Sequence, residues 1–529
     1  MAHPIEKSAS PTLRDVDEVE LARHGYKQEL RRDWSPLQNF GVSFSVISVI
    51  TGTSSLFLFG LSTGGPAVMV WGWVVVSFFT MMVGLAMAEV CSSIPTSGGP
   101  YFWASKLAMD RTSAFAAWFT GWFNLLGQVA VTTGISYACA NFIATVATFK
   151  TSFVPHAKHV IGIYAAVLIV QGLINAFGVR TLRFMNNLSI WWHAVGTSAL
   201  VIGVLAKAPT HQSAKWVFTQ FYDGTGGWGD RASHAYVCMI GILMAQYTLT
   251  GFDASAHMTE ETHNAATSGS YGIISAIGVS SVLGWFLILG LLFSIQDFDN
   301  TIASPTGQPV AQIFIDTVGI NGAIALMVVI IVSMFLCGTF SVTSNSRMMY
   351  AFSRDGAIPG SKFWHKVDDK YQSPVRTVWL AVVLSFCLGL PSLGSTVAFT
   401  AATSIATIGL YVSYGIPIFL RLINHRQFKK GPFHLGRWSL PVAAVASLWI
   451  CFITIVFMLP QVNPVTSQTL NYAPVATGAV FSYAVLTWLL SARKWFTGPI
   501  KQIRAEELGI DIANQAEFER AEKEGVLDP

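Results

Sequence analysis

Charge is what this chain has least of. Asp, Glu, Lys and Arg supply only 11% of its 529 residues, against roughly 25% in soluble domains, while 52% of residues are hydrophobic and the mean hydropathy is +0.51. That balance excludes an ordinary water-soluble domain. Cysteine is also scarce: Cys91, Cys139, Cys238, Cys337, Cys387 and Cys451 fall in or beside apolar stretches, with neither metal-ligand spacing nor extracellular pairing. No phosphate-cradling Gly loop, HExxH pair or paired Cys or His ligands occurs. The chain is therefore expected not to be an enzyme, to hold no metal or cofactor, and not to be driven by ATP without a partner subunit. Residues 1–37 are polar and lack a short apolar core with a small-residue cleavage site, so no removable signal peptide is expected there.

What is present is a series of long apolar runs. About 20 apolar residues cross a bilayer core as a helix, and such runs lie at 42–62, 66–88, 113–143, 159–178, 186–206, 235–257, 271–295, 321–346, 377–393, 395–420, 440–459 and 472–490. The expectation is an all-α integral membrane protein of twelve spans in one polytopic domain, 38–500, with polar tails at 1–37 and 501–529. Cytoplasmic loops retain positive charge. With the N-terminus inside, only five of the 32 basic residues face outward: Lys150, Lys158, Lys207, Lys215 and Arg231. Both termini are thus expected in the cytoplasm. The net charge of +4 reflects this topology, so no nucleic-acid partner is expected.

An ionisable side chain at membrane depth is costly and marks a functional candidate. No Lys, Arg or Glu lies within the spans; Asp253 does, with His193 in span 5 and His159 and His257 near span ends, where an interfacial role is expected. Span 6 carries Thr250-Gly251 just before Asp253, and span 1 carries Thr51-Gly52 followed by Thr53 and Ser54. Gly-interrupted segments at matching places in two halves point to inverted-repeat transporters, whose broken helices meet at the midplane, whereas single Gly and Ser residues often serve only close packing. The matched pair with a buried Asp favours a binding site. Non-helical backbone survives in lipid only where it lines a cavity. A break near Gly52–Ser54 exposes N–H groups that attract a carboxylate, and one near Thr248–Phe252 exposes carbonyls that attract an ammonium. Together they suit a zwitterion.

Three motifs carry a resemblance: "EVCSSIPTSGGPYFWAS" (89–105), "FDASAHMTEET" (252–262) and "RMMYAFSRDGAIP" (347–359). They resemble the amino acid/choline transporter family of the amino acid–polyamine–organocation superfamily, over about residues 25–500, and among its members are most similar to fungal GABA permeases and plant bidirectional amino acid transporters. The resemblance implies a LeuT-like 5+5 inverted repeat (about 38–206 and 235–424, with helices 11 and 12 at about 440–492) and alternating access. It implies that Thr51, Gly52, Thr53 and Ser54 bind the substrate carboxylate, that Tyr247 shields the substrate, and that Phe252 takes a position that is often Trp. Thr248, Thr250 and Gly251 complete the unwound stretch. Asp253 then favours a substrate amine or caps the second half of helix 6, and Glu260 and Glu261 form an inner gate or a solvated helix end.

In proton-coupled relatives a Lys on helix 5 occupies the sodium space of sodium-coupled relatives, and His193 falls near that position. Free imidazole changes charge near pH ~6.5, so His193 either carries a proton or stays neutral and donates a hydrogen bond. Ser341, Thr343 and Ser344 match the facing side of helix 8, where hydroxyls often bond only their own backbone. Asn124 and Gln128, four apart in span 3, share a face that lines the pocket or joins helices. Three functions stay open: a proton-coupled secondary transporter of GABA or cationic amino acids, a choline or polyamine transporter, and a non-transporting nutrient sensor. The plasma membrane is expected as its location, with the vacuole or another endomembrane as the alternative.

Overall fold

The computed structural model describes residues 32–499 apart from 178, 369 and 396, together with Asp17, Leu21, Leu30, Leu508, Arg520 and Ala521. Most of the expected tails, 1–37 and 501–529, therefore lies outside the described residues. Ser35 starts the first helix with a reciprocal capping box: its hydroxyl accepts from Gln38 N, and the Gln38 amide oxygen accepts from Ser35 N. Three short helices follow in line, α1 (Pro36–Ile47), α2 (Val49–Ser55) and α3 (Phe57–Ser62). Next come α4 (Gly65–Ser93), a short α5 (Pro100–Leu107), α6 (Asp110–Thr148), α7 (Ala157–Phe177) and α8 (Val179–Lys207). Short pieces then return as α9 (His234–Gly241), α10 (Leu243–Thr248) and α11 (Ala254–His257), ending in a 3-10 turn, Thr259–Glu261. The chain continues through α12 (Ala265–Phe293), α13 (Pro309–Arg354), α14 (Val375–Gly389), α15 (Ala398–Ile423), α16 (Ser439–Val456) and α17 (Ala473–Leu490).

The described residues are nearly all helical, with isolated β-bridges and no strand. Ten of the helices, α4, α6 to α8 and α12 to α17, are long and apolar enough to cross a membrane. The expected spans that are missing from those ten are 42–62 and 235–257, the two in which interruptions were read, and each is divided into short pieces. Two boundaries differ from expectation. The span read at 321–346 is the later part of α13, which runs to Arg354 after leaving helical geometry at Gly319 (φ 71°). The run at 377–393 is helical only to Gly389, where Leu390–Leu393 tightens into a 3-10 turn around Pro391.

α6 is the central post, packed by α15, α13, α5 and α7. Glycine lets it meet α15 backbone to backbone: a Cβ on Gly409 would lie 2.7 Å from Gly127 N, and one on Gly127 2.6 Å from Leu410 N. Large apolar side chains such as Leu448, Ile455 and Leu490 point outward, the arrangement a lipid surround permits. This is a multi-pass integral membrane protein.

Candidate functional site

The two interrupted segments touch each other. Gly251, in the left-handed region at φ 95°, leaves only 2.6 Å between a would-be Cβ and Val46 Cγ1. A Cβ on Gly52 would fall 2.4 Å from Thr248 Oγ1 and 2.7 Å from Thr248 Cα. The break in the first segment is at Ser48 (φ 29°, ψ 81°), four residues before the expected Gly52–Ser54, which lie inside helix α2. The physical reason is a cap: Ser48 Oγ accepts from Thr51 N and pairs with Thr51 Oγ1 at 2.6 Å, so the helix restarts at Val49. Gly52 serves the close approach, and the turn belongs to Ser48.

The backbone groups left over by the breaks differ in sign. Val49 and Ile50, at the start of α2, have no acceptor for their N–H groups among the described residues. In the second segment the carbonyls of Thr248, Leu249 and Thr250 have no donor among them either. The Phe252 carbonyl, by contrast, is taken by Ser43 Oγ at 2.7 Å. Around the breaks, Thr51, Thr53, Ser54, Tyr247, Thr248, Thr250, Phe252 and Asp253 are all buried. The Thr53 and Tyr247 hydroxyls have no hydrogen-bond partner among the described residues, nor has Ser344 Oγ on α13, and buried polar groups rarely tolerate that unless something else occupies the site. Above them a cavity of about 440 Å³ is lined by Ser55, Tyr137, Asn141, Gln308 and Phe399. Tyr247 stands between: its hydroxyl would be 2.5 Å from a Cβ on Gly134, one turn from Tyr137 on α6.

Asp253 is wholly buried and its carboxylate is fully engaged. Tyr414 donates to Oδ1 at 2.6 Å, Gln128 Nε2 donates to Oδ2 at 2.9 Å, and His257 Nε2 lies 3.2 Å from Oδ2. Although it precedes α11, it makes no side-chain capping bond, so the expected capping role does not hold: the carboxylate turns toward α6 and α15 instead. Phe252 packs on Tyr414 and Tyr411, with ring centroids 5.1 Å and 6.2 Å apart. Gln128 thus reaches the break, whereas Asn124 bonds Ser413 at 3.0 Å and joins α6 to α15. The interfacial role expected of His257 does not hold, because α11 turns inward and leaves the ring fully buried. Sequence reasoning missed Tyr414 and Ser48; the one available signal was the four-residue spacing of Asp253 and His257.

His193 meets the break itself. Its Nδ1–H donates to the Ser189 carbonyl at 2.8 Å, and Nε2 lies 2.8 Å from Ser48 Oγ. The facing residue of α13 is Cys337, whose thiol reaches the Val46 carbonyl at 3.2 Å. The expected hydroxyls look elsewhere: Ser341 pairs with Thr132 on α6 at 2.8 Å, and Thr343 donates to Asn175 on α7 at 2.6 Å. A helix presents residues two apart to different sides, so Ser341 and Thr343 cannot share one space.

At the other end the segment is clamped. Glu261 pairs with Arg347 at 2.9 Å and Glu260 with Arg354 at 3.3 Å, all four side chains being nearly inaccessible. The expected alternative of a solvated helix end is therefore wrong for both glutamates. Arg32 adds bonds to the Thr259 and Thr262 carbonyls, and Ser97 N donates to Glu260 Oε1. The site is shut on the arginine side, and Tyr247 stands between it and the cavity.

A family model described as amino acid permease matches residues 37–481. The amino-acid permease BAT1 homolog of Oryza sativa subsp. japonica is 47% identical, over 92% of this chain and 96% of its own length. Amino-acid permease BAT1 of Arabidopsis thaliana is 45% identical, over 94% and 99%. The GABA-specific permease of Saccharomyces cerevisiae is 34% identical, over 93% and 88%.

Proposed function

The chain belongs to the amino acid permease family, and from that premise we propose that it moves GABA or a related amino acid by alternating access, driven by a proton gradient. The observation that carries this reading is the pair of touching breaks with unpaired N–H groups on one and unpaired carbonyls on the other. A carboxylate fits Val49 and Ile50, where the start of a helix is electropositive. An ammonium fits the carbonyls of Thr248, Leu249 and Thr250. The relative named as GABA-specific supports an amino acid whose two charges are separated by a short chain. Thr51, Thr53 and Ser54 flank the carboxylate end, and Tyr247 closes the path to the cavity.

In this reading spans 1 and 6 open two five-helix repeats of a twelve-span transporter, the arginine-rich end is cytoplasmic, and the protein sits in the plasma membrane. His193 is a latch that holds Ser48 and so the break. His193→Asn, which can still bond Ser48, is expected to retain more uptake than His193→Ala; equal loss in the two would remove the latch.

The reading is tested by thermal stabilisation of the purified protein with a panel of amino acids, choline and polyamines, followed by uptake in liposomes. GABA and related zwitterions should stabilise the protein and be taken up, and removing the carboxylate should abolish both. Stabilisation by choline alone would point to an organic cation carrier, and stabilisation without flux to a sensor.

A further inference from the structure

Asp253 and His257 are four residues apart on α11, wholly buried, and tied to opposite parts of the molecule. We propose that these two side chains hold the coupled proton between them and that Ser97 passes its loss to the clamp at the arginine end. The proposal rests on the proton-driven reading above and names the site that such coupling needs.

The close approach of two buried acceptors favours a proton there. His257 Nδ1 lies 2.8 Å from the Ser97 carbonyl, and a carbonyl can only accept, so Nδ1 carries hydrogen. Nε2 then lies 3.2 Å from Asp253 Oδ2, out of line for a hydrogen bond and with no other partner among the described residues. A neutral imidazole nitrogen and an ionised carboxylate would be two acceptors 3.2 Å apart in a buried site, which is costly. One proton on Nε2 or on Oδ2 removes the conflict. Its departure from either atom changes the pair's charge by one and breaks no bond between heavier atoms.

The surroundings leave this pair as the responsive element. From α13, Arg347 and Arg354 are each already matched to Glu261 and Glu260. Arg32 lies on backbone carbonyls beside Asp17. From α15 come the phenols of Tyr411 and Tyr414, from α4 the thiol of Cys91 beside Thr259, and from α1 only Asn39 and Ser43, which bond Ser255 and Phe252. Tyr414 and Gln128 hold the carboxylate to α15 and α6, while Ser97 holds the imidazole. The shared proton joins the two side chains, beside the backbone bond from His257 N to the Asp253 carbonyl at 3.1 Å.

Ser97 is the node that reads this state. Its carbonyl accepts from His257, its N–H donates to Glu260 Oε1 at 3.0 Å, and its hydroxyl accepts from Glu260 N at 3.3 Å. Gly99 brings the loop so close that a Cβ would lie 2.9 Å from His257 Cε1. When the proton leaves, the carboxylate repels Nε2 and pushes the ring against Ser97, which disturbs the two bonds Ser97 makes with Glu260. The unpaired carbonyls of Leu249 and Thr250 lie in the same unwound stretch as Asp253, so substrate and proton act on one piece of backbone.

The test uses the full chain in liposomes with labelled GABA and an internal pH dye. Wild type should accumulate GABA under an inside-alkaline gradient and acidify the lumen. His257→Gln, whose amide can still donate to Ser97, should keep GABA counterflow and lose both accumulation and acidification. Tyr414→Phe removes the 2.6 Å hydrogen bond to the same carboxylate, so the pH of half-maximal uptake should move. His193→Asn should alter turnover without moving that midpoint. Net GABA uptake by wild type without acidification would defeat the proton-driven reading itself. Acidification retained by His257→Gln would defeat the pair alone. Should His257→Gln fail to fold, an unmoved midpoint in Tyr414→Phe, or one abolished by His193→Asn, overturns the proposal.

Discussion

Uptake by Gly52→Ala is expected to fall to background while the protein still reaches the membrane. The added methyl would lie 2.4 Å from Thr248 Oγ1 and 2.7 Å from Thr248 Cα. Rotating the threonine relieves the first contact, but the second is backbone and can be relieved only by parting α2 from α10. Overpacking of this kind costs roughly 1–3 kcal/mol, which a protein of this size can absorb. The unpaired N–H groups and carbonyls, however, would no longer span one ligand, and a misplacement of about 1 Å is enough to lose binding. Thr248→Ala should therefore fail to rescue Gly52→Ala. Gly162→Ala is the control, because nothing lies within 4 Å of its would-be Cβ. Normal uptake by Gly52→Ala, measured beside that control, would mean that the two breaks do not form the binding site.

Arg347→Met should cause the second large loss, by a different route. The guanidinium Nε donates to Glu261 Oε1 at 2.9 Å with both side chains nearly inaccessible, and removing one partner of a buried pair costs about 3–5 kcal/mol because the other charge is left uncompensated. That cost falls on the conformation shut at the arginine end. A shift of this size nearly inverts a two-state population, so the variant should melt earlier and lose most of its concentrative uptake. Replacing both partners, Arg347→Met with Glu261→Leu, removes the stranded charge and should restore the melting temperature without restoring uptake. A single variant that melts and transports like wild type would show that the pair closes nothing.

The candidate site was only partly legible in the sequence, for a reason visible in particular residues. Gly251 announced its break, because a glycine beside an Asp within an apolar run has few uses other than a left-handed turn. Ser48 announced nothing: a serine in a membrane helix ordinarily bonds its own backbone, and its φ of 29° depends on His193 arriving from α8. The direction of helix rotation was equally hidden. Ser341, Thr343 and Ser344 read as one polar face, yet Ser341 bonds α6 and Thr343 bonds α7.

By itself the sequence determined the membrane environment, ten of the long apolar helices, the two segments that are divided into short pieces and the presence of a buried acid, since each follows from hydropathy and helix-breaking chemistry within about 20 consecutive residues. Tertiary structure alone decided where the first break lies, which atoms hold Asp253, and that Glu260 and Glu261 are buried partners of arginines about ninety residues onward. Those outcomes depend on which faces of distant helices meet, and in a helix bundle that is set by mutual packing and by the need to pair every buried polar group, conditions that no short stretch of chain contains.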